Sequence, residues 1–140
     1  MCPVKLFNDK LIASVNYECF ELPKDLYAIA IDDSKIQRKL LSRFFAFAGI
    51  PSDRIHIMGA TASEITGFVD WSVNFVDSHP YDLFLFLVDE NLDVQDDDHA
   101  GTKQKTVSGS AAVAEMRSRL LPDQERKVLS LIRSANDSAK

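Results

Sequence analysis

The sequence predicts an α/β fold built on a doubly wound parallel sheet. Its short strand-like segments, Ile29-Ala30-Ile31 and the run Leu83-Phe84-Leu85-Phe86-Leu87-Val88, are apolar on both faces, as central strands covered by helices above and below must be. Amphipathic helical stretches separate the strands in the order β-α-β-α-β-α-β, which implies right-handed crossovers between parallel neighbours. Carboxylates stand directly after two of these strands, Asp32 and Asp33 after the first and Asp89 after the third. Open α/β sheets bind ligands outside the carboxyl ends of their strands.

Taken in order, Tyr27 to Ile31 reads as the first strand. Ser34 opens a helix, since Ser34 with Gln37 has the capping-box spacing; Ile36, Leu40, Phe44 and Phe47 recur on one face, and Gly49 with Pro51 ends the run. Arg54 to Met58 alternates like a second strand. Thr61 with Glu64 forms another capping box, followed by Ile65, Phe68, Val69, Phe75 and Val76 down to His79-Pro80. Leu83–Val88 is the third strand. Asp93 to Ser108, with Asp96-Asp97-Asp98, His99 and Gly101, reads as a polar loop, long for a βα connection of about two to six residues. Ser110 to Leu121 is a third helix, with Val113, Met116 and Leu120 inward and Pro122 as its stop. Val128 to Ile132 is the fourth strand. Residues 1–24 read as an N-terminal extension: Lys5-Leu6-Phe7 and Lys10-Leu11-Ile12 flank Asn8-Asp9 like a hairpin, and Val15, Tyr17 and Cys19 alternate like a further strand.

Composition narrows the function classes. A chain of 140 residues is long enough for one domain with a proper core. A net charge of −5 argues against nucleic acid or an anionic membrane as partner. The longest apolar runs fall far short of the ~20 residues that span a bilayer. Cys2 and Cys19 fit no metal or redox spacing and are too few for a disulfide scaffold; reduced thiols in a cytoplasmic protein are the simplest reading.

Three carboxylates converging at adjacent strand ends repel one another and resist desolvation, so a cation is expected among them. The pattern points to a divalent-metal and phosphate site. Helix capping and dipole pairing is the plain alternative for Asp32 and Asp33. At Asp93–Gln104, Asp98 and Gln104 stand where an EF-hand needs Gly and Glu. No Gly-Lys-Ser/Thr forms a P-loop, and no Gly-x-Ser-x-Gly or Cys/His pair marks a hydrolase. His56, His79 and Trp71 read as structural.

The segments Ile31-Asp32-Asp33-Ser34, Leu87-Val88-Asp89-Glu90-Asn91 and Ile132-Arg133-Ser134-Ala135 resemble the signature segments of the receiver domain of two-component response regulators and hybrid histidine kinases. The finer likeness is to receivers of eukaryotic-type hybrid kinases. The resemblance covers residues 25–140 and implies a flavodoxin-like sheet of strand order 2-1-3-4. It further implies that Asp89 is the phosphoacceptor, taking a phosphoryl group from a phosphohistidine as an aspartyl phosphate. It implies that Asp32, Asp33, Asp89 and the backbone carbonyl of Asn91 hold Mg²⁺, and that the Ser134 hydroxyl contacts a phosphoryl oxygen. The implied partner is a histidine kinase or a histidine phosphotransfer protein, and the implied enzymatic activity is at most a weak autophosphatase.

The family pattern is broken at one place. A receiver has a fifth strand ending in a lysine that pairs with the phosphate, then a fifth helix; this chain ends at Lys140, six positions after Ser134, and a crossover with its helix needs at least ~10–12 residues. Three readings follow: a fragment of a longer kinase, a degenerate pseudo-receiver acting as a phosphorylation-independent interaction module, or a domain completed by another segment. Val15–Phe20, running into Glu21-Leu22-Pro23, resembles the last strand of a kinase ATP-binding domain and favours the fragment. A haloacid-dehalogenase-type phosphatase would want Asp where Asn91 stands. Without a fifth strand, Val128–Ile132 is a bare sheet edge, so a homodimer through that edge or the N-terminal segment Val4–Phe20 is expected.

Overall fold

The computed structural model describes residues 22–94 and 105–134. Four parallel strands, β1 (Leu26–Ile31), β2 (Ile55–Met58), β3 (Leu83–Asp89) and β6 (Val128–Arg133), form one sheet in the spatial order β2-β1-β3-β6. That is the 2-1-3-4 order expected for the four parallel strands. Residues 1–21, with the expected N-terminal hairpin and strand and both cysteines, lie outside the described residues, as do 95–104 with Asp96, Asp97, Asp98, His99 and Gly101.

The central strands divide their side chains between two apolar layers. Ala28 and Ala30 of β1, with Leu85 and Leu87 of β3, face helix α1 (Lys35–Phe47) and meet Leu41, Phe45 and Ile50. Ile29 and Ile31, with Phe84, Phe86 and Val88, face the opposite way. There they pack against α2 (Ala62–Thr66), α3 (Phe68–Ser78) and α4 (Gly109–Arg119) through Ile65, Phe68, Val76, Val113 and Met116. The α1 side is floored by alanines, so that helix can sit close; the other side carries the larger residues and two of the longer helices.

The helix α1 corrects the expected inward stripe. Ile36, Leu40, Phe44 and Phe47 are 70%, 51%, 58% and 82% exposed, while Leu41 and Phe45 are buried. The doublets Leu40-Leu41 and Phe44-Phe45 put two apolar stripes on the helix, and spacing alone does not say which one meets the sheet. The Ser34 cap does form, its Oγ accepting from the Gln37 N–H at 3.3 Å.

Two further boundaries differ from expectation. The stretch after Thr61 is two helices, α2 and α3, broken at Gly67, which ends one and starts the next. The expected polar loop 93–108 contributes both strands of an antiparallel hairpin, β4 (Asn91–Val94) and β5 (Lys105–Ser108), with Leu92 facing Val107. Leu92 and Val94 are buried in the larger core layer, so their apolar alternation with Asn91 and Asp93 was a strand signal overshadowed by the acidic run that follows. A short helix, α5 (Pro122–Glu125), follows the Pro122 stop.

His56 and His79, expected to be structural and unrelated, meet around Tyr27, with ring centroids 5.9 and 5.0 Å from it. Trp71 stacks on Phe75 in the same cluster at 4.8 Å. Among the described residues β6 pairs only with β3. Its Leu129 and Leu131 stand beside Leu85 and Leu87 on the α1 side of the sheet, 58% and 47% exposed.

Candidate functional site

Parallel pairing fixes the site. β1 and β3 run side by side with Ile31 opposite Val88, so the residues that follow, Asp32 and Asp33 on one strand and Asp89 on the other, emerge together at the carboxyl end of the sheet. A carboxylate oxygen from each lies within 4.8 Å of the other two. Asp32 is the buried member, at 3% exposure; Asp33 and Asp89 are half-buried.

Each carboxylate is held by its surroundings. The Ser34 N–H donates to Asp32 Oδ1 at 2.8 Å in a local turn ahead of the helix; the cap of α1 is Ser34 itself, so the helix-capping alternative for Asp32 does not account for its place. The Asp93 N–H, from hairpin strand β4, donates to Asp33 Oδ2 at 2.9 Å. Burial first, then the nearby Asp32 and Asp33 charges, push Asp89 up to about 6, against the Asn91 backbone N–H and the Arg133 charge, which lower it. Asp32 is also raised, chiefly by burial and in part by Asp33, against the Ser34 N–H and Arg133. The cluster is therefore short of positive charge.

Close backbone approach builds the walls. Gly59, just past β2, has φ +114°, and a Cβ there would stand 2.2 Å from the Asp32 carbonyl oxygen. Gly109 opens α4 with its N–H on the Glu90 carbonyl at 2.8 Å; a Cβ there would lie 2.1 Å from the Asp89 carbonyl oxygen. The Glu90 carboxylate is spent on α4, accepting from the Ser110 N–H at 2.8 Å and the Ser108 hydroxyl at 2.9 Å. A cleft of about 250 Å³ opens beside the cluster, lined by Asp33, Gly59, Ala60, Thr61, Ala62, Ile65 and Asp93.

The expected site residues are placed as follows. Asp32, Asp33 and Asp89 are brought together. Asn91 joins them through its backbone N–H on the Asp89 carboxylate. Ser134 follows β6 directly and is exposed, one residue beyond Arg133, the position in register with Asp89. The reading from sequence missed Arg133 itself. Its Nη1 lies 3.4 Å from Asp32 Oδ2, and its Nη2 donates to Gln37 Oε1 at 2.9 Å. The available signal was a basic residue ending an otherwise apolar strand, beside the strand that ends in Asp89. Asp93 was missed too, because it had been assigned to a loop.

Chemically, three carboxylates in a partly buried pocket are hard oxygen donors that fit a small divalent cation such as Mg²⁺, and the raised Asp89 marks the charge such an ion would relieve. The same residue is half-buried, so part of it stays open to solvent. Comparison of the chain with family models, with curated proteins and with solved structures finds no match.

Proposed function

We propose that this chain is a receiver domain of flavodoxin-like fold that accepts a phosphoryl group onto Asp89, with Mg²⁺, in a His-to-Asp phosphorelay. The observation that carries the reading is the meeting of Asp32, Asp33 and Asp89 at the ends of two adjacent parallel strands. In the transfer an Asp89 carboxylate oxygen forms a bond to phosphorus as the P–N bond to the donor imidazole breaks, and the electron pair of that bond stays with the imidazole nitrogen. Asp32 and Asp33, with Asp89 and the Asn91 carbonyl, would hold the ion. An ion held by them would supply positive charge to the oxygens of the phosphoryl group. The chain itself orients the nucleophile through the Asn91 N–H, and the Ser134 hydroxyl would donate to a phosphoryl oxygen. The donor would be a histidine kinase or phosphotransfer protein, and the setting cytoplasmic. Among the described residues no helix is long and apolar enough to cross a membrane.

A second reading, a pseudo-receiver that binds partners without phosphorylation, is favoured by one contact: Arg133 already gives Asp32 a counter-charge with no ion needed. One experiment separates the two. The protein is incubated with Mg²⁺ and acetyl phosphate and its intact mass taken. The phosphoacceptor reading expects one added phosphoryl unit, mapped to Asp89 and lost in Asp89→Asn. An unchanged mass in the parent protein favours the second reading, and modification mapped to Asp93 refutes Asp89 as the acceptor.

A further inference from the structure

We infer that Arg133 is the oxyanion-holding residue of this site, its guanidinium turning from Asp32 to the oxygens of a phosphoryl group on Asp89. The inference rests on the phosphoacceptor reading above. Its starting point is register: Arg133 ends β6 directly opposite Asp89 on β3, so the cation and the acceptor stand on neighbouring strands at the same height. Two grips hold the guanidinium, and they are unequal. The bond to Gln37 Oε1 is firm at 2.9 Å, whereas the approach to Asp32 Oδ2 is long at 3.4 Å. Charge-assisted N–H to carboxylate bonds normally close to about 2.7–2.9 Å. Gln37, at the start of α1, thus anchors one arm of the fork and leaves the other loosely engaged on Asp32.

Among the described residues, the other guanidinium bonded at this corner does not compete for the role. Arg38 also reaches this corner, but its Nη1 donates to the backbone carbonyls of Asp32 and Gly59, at 3.0 and 3.3 Å. It clamps the loop that carries the carboxylates. Charge counting points the same way. Three carboxylates and one guanidinium leave the site two charges negative, which a divalent cation cancels, and an arriving phosphoryl group then brings negative oxygens needing their own donor. A guanidinium presents five N–H groups in a planar fork that matches phosphate oxygens in pairs. Of these, Arg133 commits one Nη1 and one Nη2 bond among the described residues.

The test uses the whole chain with Mg²⁺ and beryllofluoride, a mimic of the phosphoryl group, and measures two affinities by calorimetry: Mg²⁺ alone, then beryllofluoride at saturating Mg²⁺. Arg133→Gln is expected to bind Mg²⁺ as tightly as the parent or several-fold tighter, because a competing cation has gone. It should bind beryllofluoride about tenfold to a hundredfold more weakly, the worth of one charge-assisted contact. Arg133→Lys should recover part of that loss, which a merely structural defect would not permit. If Arg133→Gln keeps the parent's beryllofluoride affinity, Arg133 holds no oxyanion and the phosphoacceptor reading stands without it. If the parent binds Mg²⁺ but no beryllofluoride, both fall together.

Discussion

Asp89 carries a proton to higher pH in the folded chain than out of it, and the direction of that shift sets how stability responds to acid. Its ordinary value of 3.8 is raised to about 6, first by burial and then by Asp32 and Asp33. Between those values the folded protein binds more protons than the unfolded chain, so stability falls as pH rises through the window and the cost stays in place above it. His56 works the other way. Burial and His79 lower it below 6.5, so its contribution is lost as pH falls through that value. The difference between parent and Asp89→Asn isolates the carboxylate. In chelator, Asp89→Asn should melt higher than the parent at about pH 7.5 and converge with it near pH 4, and Mg²⁺ should raise the parent more than the variant. An equal gap at both pH values would refute the assignment of strain to this carboxylate. Gly109→Ala should lose stability and displace Asp89 at once, because its methyl group would run into the Asp89 carbonyl. Ser72→Ala points the other way: the Ser72 hydroxyl is fully buried and finds no acceptor among the described residues, so its removal should raise stability by about 1 kcal/mol, as read by denaturant unfolding. The carboxylates were legible from sequence because an acid straight after an all-apolar strand is anomalous by itself. Arg133 was not, since its role depends on which strand neighbours which.

At the scale of elements, α1 shows where periodicity stops being informative. Both of its apolar stripes repeat correctly, and only the shape of the sheet beneath decides between them. Alanines at positions 28 and 30 leave a shallow floor that Leu41 and Phe45 fill. Substitution makes the choice measurable. Phe45→Ala should cost about 3–5 kcal/mol in denaturant unfolding, whereas Phe44→Ala, its exposed neighbour, should stay within about 0.5 kcal/mol. Similar losses at both would mean that the helix is rotated from the orientation described. The strands, by contrast, were readable nearly to the residue, because a segment apolar on both faces has few alternatives. The hairpin strands β4 and β5 escaped notice because they are only four residues each and border the most acidic stretch of the chain.

For the molecule as a whole, the two sides of the sheet are unequally covered. Three helices and the hairpin close one side. On the other, α1 lies over β1 and β2, and the β6 side chains Leu129 and Leu131 are open to solvent. The Gln37–Arg133 bond turns one flank of α1 toward that strip, and exposed Phe44 and Leu40 lie near that flank. Apolar surface of this kind is a site of association, and β6, which among the described residues pairs only with β3, adds backbone donors and acceptors along its other edge. Concentration-dependent self-association is therefore expected in sedimentation velocity. Leu129→Lys with Leu131→Lys should shift the protein toward monomer while leaving Mg²⁺ affinity unchanged. A monomer at every concentration before substitution would show that the strip drives no association.

The hairpin has a separate consequence for engineering. Its stems are fixed at both ends: Leu92 and Val94 are sunk in the core, and Asp93 is tied across to Asp33. On the opposite strand the Thr106 hydroxyl donates to Asp93 Oδ1 at 3.0 Å, so a fluorescent label carried on exposed Lys105 would stand at the end of a bonded path to Asp33, which makes the hairpin strands a natural place to build a sensor of any ion bound among the carboxylates.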